Sequence, residues 1–484
     1  MFFNSLSYLF FLLAVAIVVY IIPGKYQWIW LLICSIFFYY TLLPTYLILF
    51  FVLIILNYYL GLAIENSDIK RNFIFILSIC FNIIILAFFK YFGFFQSLVI
   101  EIKGRSVYDP LLKIILPVGL SFFIFTILSY LIEVKRGTIN AERHIGIFAG
   151  YLLFFPKIMQ GPIEKPGKII PQFREKKCFN YELVVEGLKL MLWGYFKKLV
   201  VADRLAIYVD AVYNNYEQHS GASLLLATIF YSFQIYADFS GYTDIAVGSA
   251  KVLGFNLTNN FNRPYFADSI KEFWNRWHIT LSVWLRDYLF LPIAVFFTGK
   301  IKNTKYFGLP IEKWIFMLAT IITFSICGLW HGEGLNFLIW GLLFGIYLTI
   351  ANWSLSLQKN IRKKLDISKK SKLYRVYGII ITFLLVSFTW IFFRADTTRD
   401  ALNIIESILD LEGPLFIDRR TMVFSLVGLV LLYYLEAKIE FSQSGYLPFK
   451  TKHWLVEHLA YAALTMIILL IGVFDGGQFI YFQF

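Results

Sequence analysis

The chain has 484 residues, of which 59% are hydrophobic, 20% aromatic and only 15% charged, and its mean hydropathy is +0.68. Soluble domains carry about 25% charged residues, so a soluble globular protein is excluded. The net charge of +13 then reads as basic loops held at an anionic cytoplasmic membrane surface, not as a nucleic-acid interface.

Apolar stretches of about 18 residues or more are candidate membrane spans. They fall near 5–23, 26–42, 45–64, 72–90, 111–133, 183–201, 222–238, 314–331, 335–353, 376–394, 421–437 and 455–473. The expected fold class is therefore an all-α polytopic membrane protein with about 11–12 transmembrane helices. No long polar or low-complexity linker and no fixed-period repeat interrupts the chain, which reads as a single integral-membrane domain over 1–484. The apolar start lacks a small-residue cleavage site, so a retained first span is expected. Basic loops mark the cytoplasmic side. Lys25, Lys70, Arg71, Lys135, Arg136 and Arg143 lie there on this reading, with the N-terminus and the tail 475–484 outside. The four cysteines, Cys34, Cys80, Cys178 and Cys327, show no metal spacing, and no HExxH or clustered His/Cys set appears, so no metal is expected.

The run 145–163 looks membranous, yet Lys165, Lys168, Arg174, Lys176 and Lys177 follow it, and basic residues precede it. A single crossing would export five cations. A re-entrant hairpin resolves the conflict, with Pro156, Gly161 and Pro162 breaking the helix. Irregular backbone at membrane depth is tolerated only when it lines a cavity or is buried in protein, which makes Gln160 a candidate wall residue.

Further on, Asp238 and Asp244 in Tyr236-Ala-Asp-Phe-Ser-Gly-Tyr-Thr-Asp sit at the end of an apolar helix. Two readings stand: general acids or bases, or ion pairs with nearby arginines. Between spans, 269–290 is expected to be one amphipathic helix on the cytoplasmic membrane surface. At about 100° per residue, Trp274, Trp277, Leu281, Trp284, Leu285 and Tyr288 form one stripe and Lys271, Asn275, His278, Ser282 and Arg286 another. The polar stripe, with neighbouring Arg276, has the chemistry to orient an anionic nucleotide-phosphate ligand.

Cys327-Gly-Leu-Trp-His-Gly-Glu-Gly-Leu-Asn336 places an imidazole, His331, between two apolar runs. Titratable groups at membrane depth are costly and mark working sites. Gly328, Gly332 and Gly334 remove bulk beside it, which lets helices or a substrate chain approach closely.

Six motifs in order carry a resemblance: Pro117-Val-Gly-Leu-Ser-Phe-Phe, Phe155-Pro with Gln160-Gly-Pro-Ile, Tyr236-Ala-Asp-Phe-Ser-Gly-Tyr-Thr-Asp, Phe273-Trp-Asn-Arg-Trp-His, Gly328-Leu-Trp-His-Gly and Trp390-Ile-Phe-Phe-Arg-Ala. Together they resemble the membrane-bound O-acyltransferase (MBOAT) family, in its bacterial alginate and peptidoglycan O-acetyltransferase branch. The resemblance implies a bundle with a central tunnel, His331 as catalytic residue, and His278 toward a cytoplasmic donor. Glu333 and Phe344 depart from the family pattern, which bears on the acceptor path.

The resemblance implies transfer of acetyl from the thioester acetyl-CoA, a substrate and not a permanent cofactor, to an exported or cell-wall polysaccharide. His331 would act as general base; His278, Asn275, Arg276, Ser282 and Arg286 would position the donor or polarise its carbonyl; Trp330, Asn336, Asp238, Asp244 and Gln160 would support the site. The ending Phe479-Ile-Tyr-Phe-Gln-Phe is similar to a tail seen in this branch, where the tyrosine is proposed to relay the acyl group; here that is Tyr481. Expected partners are the polymer, membrane lipids and an extracytoplasmic SGNH or esterase-like transferase, in the inner membrane of a bacterium. D-alanyl transfer from a carrier protein and a transporter or channel are the rival readings.

Overall fold

The computed structural model describes residues 1–103, 116–301, 304–366, 368, 371–442, 445–449 and 453–474, with side chains described in these ranges except over 93–103. Tyr481 and the rest of the tail 475–484 lie outside the described residues. Among the described residues, nine helices are long and apolar enough to cross a membrane, and Leu6–Ile21 is a shorter apolar helix. Eight of the nine overlie expected spans; the ninth, Ile279–Lys300, does not. The chain is an all-α polytopic membrane protein. Its one described sheet is the hairpin Lys305–Tyr306 with Leu309–Pro310. Phe307 and Gly308, at φ 44° and 74°, supply the two positive φ values that a two-residue hairpin turn needs.

The described chain falls into two compact units. The first comprises Met1–Gly194 and Tyr242–Asn259. Within it, Ile145–Leu153 is a helix that stops at Phe154 (φ −47°, ψ 110°) and restarts as Phe155–Ile158. Pro156 lies in the first turn of that short restart, so it begins a helix where the sequence suggested that it breaks one. Every residue from Ile147 to Glu164 is buried, as irregular backbone in an apolar setting requires. The Tyr151 hydroxyl donates to Thr126 O and Glu164 O, tying the two arms together.

The second unit comprises Tyr195–Gly241 and the chain from Asn260 onward. It contains the helix pair Ile311–His331 and Leu335–Trp353. A Cβ added to Gly328 would lie 2.3 Å from Phe337 O, and one added to Gly341 would lie 2.2 Å from Phe324 O. Backbone thus packs on backbone, the arrangement that small residues allow between membrane helices. The expectation that glycines beside His331 serve close approach is met by a neighbouring helix.

The stretch 269–290 corrects the sequence reading most. It is not one surface helix but Ile270–Arg276, a break, then Ile279–Leu285, a π-helical turn Arg286–Phe290 and Leu291–Lys300. Trp274, Trp277, Trp284 and Tyr288 are buried in protein, and the second half continues into the additional span.

Candidate functional site

His331 ends the Ile311–His331 helix and is 5% exposed. Its ring meets those of Trp330 (4.6 Å), Trp340 (4.9 Å) and Phe393 (5.2 Å). The turn after it is held by Asn336, whose Nδ2 donates to Phe392 O at 3.1 Å and Ala395 O at 2.9 Å. Asn336 therefore staples the hairpin to the end of the Lys372–Arg394 helix.

Thr320, Thr323, Cys327 and His331 are all buried and recur every three or four residues, so they share one helix face. The face is about 16 Å long at 1.5 Å per residue. Threonines on helices commonly bond back to the carbonyl four residues earlier, as Thr349 does to Gly345 O. Thr320 Oγ1 and Thr323 Oγ1 have no hydrogen-bond partner among the described residues, and neither have the indole Nε1 atoms of Trp274 and Trp340. Trp274 packs on Phe324 (4.9 Å) and Trp340 (6.1 Å), so these groups belong to one neighbourhood. A buried polar group without a partner costs about 1–3 kcal/mol. The two threonines share the helix face that ends at the buried imidazole.

His278 occupies the break between Ile270–Arg276 and Ile279–Leu285, with φ 40°. Left-handed backbone costs a non-glycine residue about 1–2 kcal/mol. The segment 260–262 enforces it: Asn262 N donates to Arg276 O (2.9 Å) on one side of the break and Ile279 N donates to Asn260 O (2.8 Å) on the other. The turn drives His278 inward to 1% exposure, while Lys271, Asn275 and Arg286 stay exposed. The predicted polar stripe thus does not survive: Ser282 donates to Trp277 O and Arg286 Nε pairs with Asp287. Successive ring contacts lead from His278 through Phe261, Trp277, Trp390 and Trp340 to His331.

Arg276 forms part of an ion cluster. Arg263, Arg276 and Arg375 all donate to Glu440, and Arg276 also donates to Glu272. Burial pushes the Glu272 carboxyl up, but the Asp268 amide and then Arg276 outweigh it and hold it below the usual carboxylate range.

Asp238 lies within the Gly221–Val252 helix, not at its end, and its Oδ1 pairs with Lys198 Nζ at 2.7 Å. The arginine pairing expected for it is thus replaced by a lysine, which also meets Asp203 at 2.9 Å. Asp244 and Gln160 are buried in the first unit, and Gln160 Oε1 has no partner among the described residues. Sequence reasoning passed over Asn260, Lys198 and Glu440. Lys197-Lys198 inside the apolar run 183–201 was the one available signal, since paired cations in such a run need buried counter-charges. No group of three or more metal-ligating side chains occurs among the described residues.

The chain is a polytopic helical bundle that buries two imidazoles among aromatic side chains. The family is settled by comparison: the pattern of MBOAT, the membrane-bound O-acyltransferase family, matches residues 18–388, and the chain belongs to it. It is an acyltransferase. It is 32% identical over 416 residues to the protein named Probable alginate O-acetylase AlgI of Pseudomonas aeruginosa, covering 84% of this chain and 75% of that one. It is 31% identical over 446 residues to the peptidoglycan O-acetyltransferase of Helicobacter pylori, covering 85% and 80%. The teichoic acid D-alanyltransferase of Bacillus subtilis is 27% identical over 281 residues, covering 57% and 68%.

Proposed function

We propose that this acyltransferase moves an acetyl group from cytoplasmic acetyl-CoA to a hydroxyl acceptor reached from the other side of a bacterial inner membrane, for O-acetylation of an exported or cell-wall polysaccharide. The observation that carries the reading is buried His331 at the end of a helix face bearing the unpartnered hydroxyls of Thr320 and Thr323. His331 takes the proton of the acceptor hydroxyl as its oxygen attacks the thioester carbonyl. The C–S bond then breaks and the proton passes to the departing thiolate, so no net proton is released. General-base transfer of this kind contributes about 10²–10⁴ in rate. The charged donor never crosses the bilayer; its thioester end alone enters.

Asn275 and Arg286, both exposed, position the donor, and the acceptor is Tyr481, as a relay, or the glycan itself. An extracytoplasmic transferase of the SGNH or esterase type completes the relayed route. The basic residues of the sequence stretch 359–375 face the cytoplasm, and the N-terminus and tail face outward. Acetyl transfer is favoured over D-alanyl transfer because the O-acetylase relatives match 84–85% of the chain and the D-alanyltransferase 57%.

The test is purified His331→Ala protein, monodisperse and with wild-type thermal stability, assayed for acetyl-CoA cleavage in the presence of acceptor. The reading requires loss of cleavage; wild-type rates remove His331 as the base. Tyr481→Phe separates the routes: the relay predicts donor binding without transfer, direct transfer predicts full activity.

A further inference from the structure

The re-entrant hairpin of the first unit buries a cation that the acyl-transfer reading does not use. Lys157, in the short restart Phe155–Ile158, is only 4% exposed. Its ammonium lies 4.5 Å from the centroid of the Tyr151 ring and makes no hydrogen bond or ion pair among the described residues. Glu164, the acid whose charge reaches it, is committed elsewhere. That carboxylate accepts from Lys168 Nζ at 3.3 Å, from Thr258 Oγ1 at 3.1 Å and from Thr258 N. A ring face recovers only part of the hydration that a buried ammonium gives up, so the charge still calls for an anion.

The side chain lines a narrow cavity with room for about one water-sized group. Phe122, Phe123, Leu152, Ile158 and Ile163 supply its apolar walls. Thr126 also lines it, but Thr126 Oγ1 donates to Phe122 O at 2.8 Å. Lys157 is therefore the lining side chain with protons to give. The turn closes on the lysine's own backbone: Gly161 N donates to Lys157 O at 3.0 Å, and a Cβ on Gly161 would lie 2.3 Å from Lys157 Cα.

We propose that this cavity is an anion site for the phosphate of an anionic phospholipid, one phosphoryl oxygen accepting from Lys157 Nζ. Lysine binds phosphate as a point charge. So narrow a space admits the tip of a phosphate and not a nucleotide, and the apolar walls suit a ligand whose remainder is hydrocarbon. Exposed Lys165 and Lys176 follow the hairpin, and cationic surface of this kind gathers anionic lipid. All the described residues of the site belong to the first unit, and the test below does not depend on acyl transfer.

The test titrates phosphatidylglycerol, phosphatidylcholine, coenzyme A and inorganic phosphate into the detergent-purified full chain, read by native mass spectrometry and by the unfolding midpoint. Phosphatidylglycerol is expected to bind and to raise the midpoint, more than phosphatidylcholine does. Lys157→Met should lower the affinity for phosphatidylglycerol about tenfold, the loss of one charge-assisted hydrogen bond. In phosphatidylcholine alone the same variant should unfold no earlier than wild type, because an apolar side chain replaces an unpaired buried charge. Lys176→Met, which removes an exposed lysine, should bind phosphatidylglycerol as wild type does. Unchanged affinity in Lys157→Met, or an equal loss in Lys176→Met, overturns the site. Earlier unfolding of Lys157→Met in phosphatidylcholine assigns the ammonium a structural role on the Tyr151 ring instead. Lys157-dependent binding of coenzyme A or inorganic phosphate, without any of phosphatidylglycerol, overturns the lipid as ligand.

Discussion

The two buried histidines of the second unit are positioned by opposite means. His331 is placed by packing: Gly328 and Gly341 let two helices meet backbone to backbone, and the imidazole follows at the helix end. His278 is placed by hydrogen bonds and strain: a left-handed residue pinned on both sides by the segment 260–262 and gripped by Asn260. The lesson is that an imidazole needing only burial can ride on a helix end. A ring held at one nitrogen takes its orientation from the partner there.

The packing side of this contrast is broken most severely at Gly328. A Gly328→Val side chain meets the Phe337 carbonyl at a Cβ distance of 2.3 Å, where only backbone can yield. Overpacking of this kind costs about 3 kcal/mol, and the displaced His331 should lose most of its activity. Thermal unfolding in detergent and acetyl-CoA cleavage read the two effects. Asn336→Leu comes next. It leaves the carbonyls of Phe392 and Ala395 without the Nδ2 donor, at about 2 kcal/mol, and activity should fall with stability. If it lowers activity at unchanged stability, Asn336 belongs to the chemistry and not to the staple.

Glu440→Gln sharpens the other side. The cluster of Arg263, Arg276 and Arg375 loses its central charge, but Arg375 is partly solvated, so about 1 kcal/mol is expected after screening. The damage should reach His278 before His331, seen as faster amide exchange over 260–290 than over 320–345. The smallest effect is with pH. Because Glu272 titrates below the usual carboxylate range in the folded chain, its contribution is fully present above the ordinary pKa of about 4.3. It is lost as pH falls through the folded value. Amide exchange followed from pH 6 downward through the range below pH 4 should therefore show the 260–290 segment loosening first on acidification.

The same contrast explains what the sequence made legible. The His331 hairpin could be read because its signals are local: apolar runs of spanning length and glycines beside the imidazole. The class of protein and its family were readable for the same reason, from composition and six ordered motifs. The His278 region was misread because periodicity assumes an unbroken helix. The break at φ 40° is imposed by residues 260–262, whose hydrogen bonds to the helix leave no trace in spacing. Lys198 likewise finds Asp238 forty positions away, and the nearby arginines are committed to Glu440. Asn336 was legible as important, though not as a staple, because its partners are carbonyls of another helix.

The central claim is that His331 transfers acyl groups between the two faces of a membrane. Its most direct measurement uses the full chain reconstituted in oriented vesicles, with labelled acetyl-CoA supplied only on the cytoplasmic side. The account predicts label on a hydroxyl acceptor at the opposite face, abolished by His331→Ala while the vesicles still bind donor. Label that appears equally with His331→Ala, or only on the side where donor was added, contradicts it.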